Sequence, residues 1–476
     1  MSSSQTGAAI TARLDRLPSS PYLWRLLVLL SLGAFFEIYD LFFTAYVSPG
    51  LIRSGIFSAT EKGLFGLPDQ AAFASATFAG LFFATIIFAQ VADKYGRRAI
   101  FTYALLWYAL ATAIMAFQDT RFGVLLWRFI AGLGVGVELV TIDSYVTELM
   151  PKSMRGRAFA INQSIQFLAV PLVTFLSWQL IDIDPLGIAG WRWVVAFPVL
   201  GALIVWWIRR EVPESPRWLA QHGRIEEADK ITTALEARIA SETGRPLPAP
   251  DAPREEVGSA SFSELWKSPY KNRAIMLAIF NFFQTIGFYG FGNWAPQLIA
   301  AQGVTITKSL QYSFIIALVY PLGPLLCSLF ADKIERKWQI CIAAFGTAVF
   351  GLIFSKVTAI SAFLGQSVEG ALTVAMIIVL GILITTTNNL LSFAYHAYQA
   401  ELFPTRIRAR AVGFVYSFSR LSTVFTSFMI AFFLVNFGTP GVFVFIAFAM
   451  AVVIVSIGVF GPRTNNLALE EISATA

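Results

Sequence analysis

The chain has 476 residues, of which 56% are apolar and 13% are charged. Soluble domains carry about 25% charged residues, so this composition excludes a chain that folds as one or more soluble domains. The 35 Lys and Arg exceed the 29 Asp and Glu, which gives a net charge of +6. The excess lies in short loops between apolar runs and does not indicate a nucleic-acid partner. The composition predicts a polytopic membrane protein.

Twelve apolar runs are each long enough to cross a bilayer as a helix, which takes about 20 residues. The runs are continuous and do not alternate with polar residues, so they indicate helices and not the strands of a membrane barrel. Prolines inside several runs are predicted kinks, which a membrane bundle tolerates. In chain order, the predicted spans are 24–47, 71–92, 99–117, 122–148, 159–181, 191–208, 273–300, 309–331, 339–357, 371–402, 412–436 and 440–461.

A polar stretch at 209–272 divides the spans into six and six. It contains a helical pattern at 225–239 and a proline-rich segment at 246–253. We therefore predict a six-helix half at 1–208, a linker with short helices at 209–272 and a second six-helix half at 273–476. Lys and Arg are concentrated in alternate loops, and the positive-inside rule places those loops, the linker and both termini in the cytoplasm.

Two charged motifs recur at equivalent places in the two halves. The segment D-K-Y-G-R-R at 93–98 follows the second predicted span, and D-K-I-E-R-K at 332–337 follows the eighth. The segment E-L-M-P at 148–151 follows the fourth span, and E-L-F-P at 401–404 follows the tenth. Two independent motifs in matching positions indicate an internal duplication.

These motifs resemble signatures of the major facilitator superfamily of transporters. The segments R-x-x-x-G-x-G-x-G at 128–136 and P-E-S-P-R-W-L at 213–219 are similar to motifs of its sugar porters and organic-ion transporters. The segments 395–408 and 417–420 more closely resemble the branch of organic-ion transporters, niacin permeases and synaptic vesicle glycoproteins. The resemblance implies an all-α fold of twelve transmembrane helices that works as a transporter, not an enzyme. The glycines at 132–136 lie inside an apolar helix and predict close helix contact, not a nucleotide loop.

Charged residues at the helix ends are candidate latches. Charge-assisted hydrogen bonds between them can hold the cytoplasmic ends together in one conformation, and in the resembling family such bonds hold the outward-open state. Plain positive-inside topology is the alternative, or interfacial anchoring for Asp143. The predicted gate and latch residues are Asp93, Arg97, Arg98, Asp143, Glu148, Arg155, Arg157, Asp332, Arg336, Glu401 and Arg408.

Ionisable residues inside spans are costly and are therefore candidates for function. Asp40 lies in the first span, where its Tyr-Asp pair resembles the proton-accepting position of proton-coupled relatives. The resemblance makes Arg128 its partner, and a static ion pair is the alternative. Glu37 either shares a proton with Asp40 or serves structure, and Glu138 either titrates or pairs with Arg420. His396 is expected to be a hydrogen-bonded structural residue.

Arg420 lies well inside the eleventh predicted span. Organic-anion members of the resembling branch carry an arginine there that helps to hold the substrate, and a guanidinium fork suits a carboxylate. Amides and aromatic rings of other spans would orient and enclose the rest of the substrate. With Arg420, the predicted substrate-binding residues are Tyr39, Gln163, Gln166, Gln284, Tyr289, Asn293, Trp294, Asn388, Asn389 and Tyr395.

We therefore predict a proton-coupled symporter of a small organic anion, an aromatic or other monocarboxylate such as nicotinate. It would act as a monomer in the inner (plasma) membrane, without a cofactor or a bound metal. Its partners would be the substrate, protons and the bilayer. A proton-coupled sugar porter is one alternative. A drug or organic-cation exporter, with Glu37, Asp40 and Glu138 as its site, is another.

Overall fold

The computed structural model describes residues 3–58, 63–87, 95–250, 262–330, 334–403 and 405–464. All regular structure in these ranges is helical. The helices are α1 (Ser3–Asp15), α2 (Pro21–Arg53), α3 (Asp69–Ile87), α4 (Arg97–Ala116), α5 (Arg121–Leu149), α6 (Arg155–Phe167), α7 (Ala169–Leu180), α8 (Gly190–Ala196), α9 (Leu200–Glu211), α10 (Pro216–Gln221), α11 (Ile225–Thr243), α12 (Tyr270–Gly292), α13 (Ala295–Ala300), α14 (Ile306–Ala317), α15 (Leu322–Phe330), α16 (Arg336–Phe354), α17 (Val357–Phe363), α18 (Ala371–Glu401) and α19 (Thr405–Phe460).

The membrane spans agree closely with the apolar runs of the sequence. Eight helical segments of the described chain are apolar and long enough to cross a bilayer. One of them, Arg410–Phe460, has the length of two spans and turns at Gly438, where φ is 64°. The helices α3 and α5 and the pair α8–α9 account for the other three of the twelve predicted spans. The prediction of an all-α polytopic membrane protein is confirmed.

In the part of the chain that the structure describes, four spans are interrupted, and each interruption has a proline beside it. Proline lacks the amide hydrogen and its ring clashes with the preceding turn, so a helix kinks or breaks there. Pro171 follows the break between α6 and α7, and Pro198 lies between α8 and α9. Pro296 follows the break between α12 and α13, and Pro321 ends the break between α14 and α15. The fifth to eighth spans are therefore each built from two shorter helices.

Buried apolar side chains form two clusters, one mainly in each half of the chain. Spans two and four of the first half pack almost backbone to backbone. A Cβ added at Gly132 would lie 2.3 Å from the carbonyl oxygen of Thr77, and one at Gly136 would lie 2.7 Å from that of Leu81. The glycines of the predicted contact motif are therefore required by the close approach of α5 to α3.

One end of the bundle, here called the linker end, carries residues 150–154, 212–250, 262–269 and 402–403 and the first helix. Helix α1 packs there against α10 and α11. Arg13 Nη2 and Arg16 Nη2 donate to the two carboxylate oxygens of Glu236, at 2.7 and 2.6 Å. We call the assembly of α1, α10 and α11 the terminal clamp.

The opposite end, here called the far end, holds residues 54–58, 63–68, 182–189 and 355–370. Several hydrogen bonds between the halves lie in this part of the bundle. Gln297 Nε2 donates to the Ala45 carbonyl at 2.8 Å, Tyr46 Oη donates to the Gly292 carbonyl at 3.4 Å, and Thr307 Oγ1 donates to Asp182. Trp178 also stacks on Phe314 across the halves. The halves are therefore closed against each other at the far end.

Candidate transport site

A buried ion pair joins the first and fourth spans. Asp40 and Arg128 are both 0% exposed, and Arg128 Nη1 lies 2.8 Å from Asp40 Oδ2. Arg128 Nη2 also donates to the Asp40 carbonyl at 2.5 Å, and Arg128 Nε donates to Thr77 Oγ1 at 2.6 Å. Thr112 Oγ1 donates to the other carboxylate oxygen of Asp40 at 3.2 Å. Four helices, α2 to α5, thus meet at one carboxylate–guanidinium contact.

The contacts of this pair are those of a carboxylate and a guanidinium that compensate each other. Each carboxylate oxygen of Asp40 accepts from a donor, and the guanidinium also lies over the ring of Phe43, 4.3 Å from its centre. A proton on the carboxylate would weaken its bond to Arg128 and leave a buried charge without full compensation. Protonation of Asp40 would therefore change the contacts that hold α2 to α5 together.

A cavity of about 90 Å³ lies between the two halves. The first half supplies residues of α2, α5 and α6, and the second supplies residues of α12, α18 and α19. Aromatic rings form much of the wall. Of the predicted proton and substrate residues, the cavity is lined by Glu37, Gln163, Gln166, Gln284, Tyr289, Tyr395 and Arg420.

Arg420 is the cation of the cavity wall. It is 5% exposed, and its Nη2 donates to Tyr416 Oη at 3.0 Å. The guanidinium carbon lies 4.7 Å from the centre of the Tyr416 ring. Tyr289 also interacts with the guanidinium, and the Glu37 carboxylate of the other half acts on it electrostatically. The cavity thus places a positive and a negative group on opposite halves.

His396 also lines the cavity, beside Arg420 and Tyr416. Its Nδ1 lies 2.7 Å from the carbonyl oxygen of Ser392, and its ring stacks on Tyr395 with 4.1 Å between the ring centres. Because a carbonyl oxygen only accepts, Nδ1 carries the hydrogen, and Nε2 of the neutral ring is an acceptor. The predicted hydrogen bond of His396 is present, but its ring belongs to the cavity wall.

Comparisons with known proteins agree with this architecture. The family model described as "Sugar (and other) transporter" matches residues 26–476. The chain belongs to this family. It is 32% identical to the putative metabolite transport protein YyaJ of Bacillus subtilis (strain 168), over 95% of each chain. It is 28% identical to the niacin transporter NiaP of Acinetobacter baylyi, over 97% of this chain and 99% of the relative.

Solved structures of the xylose transporter XylE of E. coli have the same fold. A partially occluded inward-open structure has a TM-score of 0.73 and 19% identity, and covers 94% of this chain and all of XylE. Another, described as a major facilitator superfamily proton:xylose symporter, has a TM-score of 0.69 at 19% identity and covers 95% of this chain and 98% of XylE. This chain is thus a sugar-porter-type metabolite transporter of the major facilitator superfamily, a multi-pass membrane protein and not an enzyme.

Five predicted binding residues of this transporter lie away from the cavity, because their helix faces point elsewhere. Tyr39 is directed at the sixth span, where its hydroxyl donates to the Val194 carbonyl at 2.9 Å. Asn388 Nδ2 contacts the Gly287 carbonyl at 3.4 Å inside the second half, and Asn389 packs against Gly323 of the eighth span. Asn293 and Trp294 are buried at the break between α12 and α13.

Glu37 and Asp40, predicted to be near neighbours on one helix face, are separated by the structure. Glu37 lines the cavity, whereas Asp40 is directed into the first half towards Arg128. Residues three apart on a helix differ by about 60° in direction, and that angle is enough to place one carboxylate in the cavity and the other behind its wall. The side chain of Glu138, on α5, lies outside the described set.

The predicted latch motifs form equivalent ion pairs in the two halves. Arg97 Nε lies 3.3 Å from Glu148 Oε1, and Arg336 Nη1 lies 2.5 Å from Glu401 Oε1. Each pair joins the start of one span to the end of the next span of the same half. These described contacts hold helices together within a half, and they repeat the internal duplication seen in the sequence.

The other predicted gate residues have varied surroundings. The backbone amides of Arg97 and Arg98 donate to the Glu214 carboxylate at 3.0 and 3.2 Å, so Glu214 caps the first turn of α4. Arg155 Nη2 lies 3.0 Å from Oδ1 of Asp15 in the terminal clamp. Arg408 Nε donates to the Phe403 carbonyl at 3.2 Å, and Arg157 is exposed. Asp93 and Asp332, and the side chain of Asp143, lie outside the described residues.

Several residues of the cavity wall were not predicted from the sequence. Tyr416 and Ser419 lie on the same face of α19 as Arg420, and Thr285 and Phe288 flank Gln284 and Tyr289 on α12. The sequence did contain a signal for Tyr416, because it lies one helical turn before Arg420 and so on the same helix face. Nothing in the sequence distinguishes Phe288 from the other Phe residues, of which the chain has 44 in all.

Proposed function

We propose that this transporter is a proton-coupled symporter of a small organic anion in the inner membrane, with a flat or aromatic monocarboxylate such as nicotinate as its substrate. The observation that carries the proposal is a guanidinium, that of Arg420, at the wall of a buried cavity that is otherwise rich in aromatic rings. A fixed cation in a site of low dielectric selects a ligand of opposite charge.

The substrate carboxylate would lie against Arg420, which can present two parallel N–H donors. The hydroxyls of Tyr289 and Tyr416, which line the cavity, would orient the carboxylate, and the ring would pack among Phe42 and Phe288. Nε2 of His396 would accept from a donor on the ring or from water. Similarity to a protein described as a niacin transporter, over 97% of this chain, makes a pyridine carboxylate the first ligand to test.

Proton coupling would depend on Asp40. Its protonation would loosen the bond to Arg128 and so change the packing of α2, which also carries Glu37 into the cavity. Release of the proton would restore the pair. A proton site behind the cavity wall and a substrate site within it could then be linked through one helix. The chain shares its fold with a protein described as a proton:xylose symporter, which supports proton coupling.

A proton-coupled sugar porter is the second candidate. Gln163, Gln166 and Gln284 line the cavity, and amides can donate to and accept from sugar hydroxyls. A sugar would place no charge beside Arg420. The two candidates therefore differ in whether ligand charge matters.

Ligand binding by the purified Arg420→Lys variant distinguishes the anion symporter from the sugar porter. Lysine keeps the charge but loses the planar fork, so we expect nicotinate affinity to fall about tenfold to a hundredfold, since a hydrogen bond to a charged group contributes about 1.5–3 kcal/mol. Nicotinamide should bind poorly to both proteins. Binding is measured by ligand-induced shifts in thermal unfolding, with xylose as a third ligand.

Arg192→Lys is the matched control, because Arg192 lies at the far end and contacts Asp119 there. It should leave nicotinate affinity unchanged. If Arg420→Lys weakens acid and amide equally, Arg420 has a structural role and the anion proposal fails. Xylose binding that is indifferent to Arg420→Lys would then favour the sugar porter.

A further inference from the structure

A groove runs along the outside of the bundle between the seventh and twelfth spans. Residues between Ser268 and Ile279 face residues between Ala451 and Pro462 across it, and its volume is about 840 Å³. The wall residues Ile279, Val455 and Phe460 are 42%, 53% and 70% exposed. In a membrane transporter such side chains contact the bilayer, so the groove opens towards lipid.

The groove is about as long as the hydrocarbon part of one membrane leaflet is thick. Helix α19 rises about 14 Å between Ala451 and Phe460. The hydrocarbon core of a bilayer is about 30 Å thick, so one leaflet contributes about 15 Å. Because the groove begins at the linker end with Ser268 and Pro462, it extends from that membrane surface to near the midplane. A single acyl chain of that leaflet fits this path.

The linker end of the groove is polar. Asn272 and Arg273 line it, next to Ser268. Arg273 Nη1 donates to the Leu402 carbonyl at 3.0 Å, which fixes the guanidinium between the start of the seventh span and the end of the tenth. The position of this arginine, at the boundary between apolar wall and surface, is where the phosphate of a lipid in the groove would lie.

Further basic residues adjoin this polar end. Lys267 and Lys271 flank Ser268 and Asn272 in sequence, and Arg463 follows Pro462; all three side chains are exposed. Two described carboxylates lie nearby: Glu264 is in the turn before Lys267, and Glu335 accepts from the amide of Thr464 at 2.9 Å. Among the residues that the structure describes, Arg273, Lys267, Lys271 and Arg463 outnumber them, so the mouth of the groove is predominantly positive, while the wall below it is apolar.

We propose that this groove binds one anionic phospholipid from the leaflet at the linker end. Its acyl chain would lie between the seventh and twelfth spans, and its phosphate would lie beside Arg273 within reach of Lys267, Lys271 and Arg463. Basic residues at a membrane surface each strengthen the binding of an anionic headgroup. Because Arg273 is held by the end of the tenth span, the bound lipid would join three spans of the second half.

The test uses the full chain, purified in a non-ionic detergent and delipidated. Phosphatidylglycerol, phosphatidylcholine and glycerol 3-phosphate are added separately, and bound lipid is counted by native mass spectrometry alongside the thermal unfolding midpoint. We expect one phosphatidylglycerol to bind and raise the midpoint, with little effect of phosphatidylcholine and none of glycerol 3-phosphate.

Two variants locate the lipid. Lys267→Ser/Lys271→Ser/Arg463→Ser should weaken phosphatidylglycerol binding about fivefold for each charge removed. The control Lys152→Ser/Lys230→Ser/Arg245→Ser removes the same charge elsewhere at the linker end and should bind normally. Val455→Trp fills the groove without changing any charge and should also prevent binding, so the proposal is testable even if the charge variant folds poorly.

Four results would each overturn the proposal. Equal binding of phosphatidylcholine would show that the headgroup is not selected. A full effect of glycerol 3-phosphate would indicate a site for free anions. Undiminished phosphatidylglycerol binding by Val455→Trp would place the lipid elsewhere. A mass of two chains, lost in Val455→Trp, would show that a second copy covers the groove.

Discussion

Asp40 has hydrogen-bond donors at both carboxylate oxygens, and its partner Arg128 is as deeply buried as it is. A buried pair of this kind resists the loss of one charge, since the remaining ion is then uncompensated at a cost of about 3–5 kcal/mol. This sensitivity to the loss of one charge makes the pair suitable for coupling proton binding to transport, because one proton on Asp40 is enough to change its interaction with Arg128.

Asp40→Asn tests that coupling. The amide mimics the protonated acid in size and in lack of charge, so the variant should lose accumulation against a gradient while retaining exchange of substrate across the membrane. Uptake into proteoliposomes with an imposed pH gradient is compared with counterflow without one. The variant should also unfold at a lower temperature than the wild type.

Thr112→Val is the control, because it removes an uncharged donor to the same carboxylate, at a cost of about 1.5–3 kcal/mol. It should still accumulate substrate. Concentrative uptake by Asp40→Asn that a protonophore abolishes would show that Asp40 does not carry the proton.

For single residues, the sequence showed which side chains are candidates for function better than it showed where those side chains point in the fold. Asp40 and Arg128 were recognisable because ionised groups inside apolar runs need partners. The direction of Tyr39, towards the Val194 carbonyl, depends on where the sixth span lies. Such tertiary placement has no local signal, and among Asn388, Asn389 and Gln284 the sequence could not distinguish a cavity amide from an internal one.

Close packing of α3 and α5 makes their glycines sensitive to any added side chain. A Cβ at Gly132 would lie 2.3 Å from the carbonyl oxygen of Thr77, the residue whose hydroxyl binds Arg128 Nε. We expect Gly132→Ala to force the helices apart, to lower stability by about 1–3 kcal/mol as overpacking does, and to impair transport through Arg128. The unfolding midpoint and proton-driven uptake are measured together.

Gly156→Ala provides the comparison, since nothing lies within 4 Å of a Cβ at that helical position. It should be neutral or slightly stabilising, because alanine favours helix over glycine. An unchanged midpoint in Gly132→Ala would mean that α3 and α5 are less tightly packed than their backbones indicate.

Span boundaries were predictable for a physical reason. A run such as 371–402 must be helical throughout because the bilayer offers no partner for free backbone groups, and α18 covers Ala371–Glu401. The breaks at Pro171, Pro198 and Pro296 were expected as kinks for the same local reason. Helix α1 was missed, because Ser3–Asp15 has neither the apolar run of a span nor a strong capping signal.

The terminal clamp connects the start of the chain to the linker between the halves, and its charges make it sensitive to pH. Burial raises the pKa of Glu236, but hydrogen bonds from Arg13 and Arg16 outweigh it and leave the pKa below its ordinary value. A carboxyl group with a lowered pKa stabilises the fold above its unfolded pKa, and this contribution is lost as the pH falls through the lowered value.

Glu236→Gln should therefore lower the unfolding midpoint at neutral pH. The loss in free energy of unfolding should be no more than about 1 kcal/mol for each partly exposed pair. The difference from the wild type should shrink as the pH is lowered below about 4.5, the ordinary pKa of glutamate. Glu226→Gln, an exposed residue of the same helix, removes the same charge and should show little effect at any pH. A difference for Glu236→Gln that persists in acid would show that its contribution is not ionic.

The hydrogen bonds that close the far end set how readily the transporter opens there. A neutral hydrogen bond contributes only about 0.5–1.5 kcal/mol net, and one to a charged group contributes about 1.5–3 kcal/mol. Gln297 and Tyr46 each supply a neutral bond between the halves, and Thr307 donates to the Asp182 carboxylate. Their sum, about 2.5–6 kcal/mol, is smaller than the free energy of binding a ligand at micromolar affinity, about 8 kcal/mol. These contacts are therefore weak enough for the free energy of substrate binding to break them. Stronger contacts would stop the transporter from opening at the far end, and weaker ones would let solutes cross without coupling.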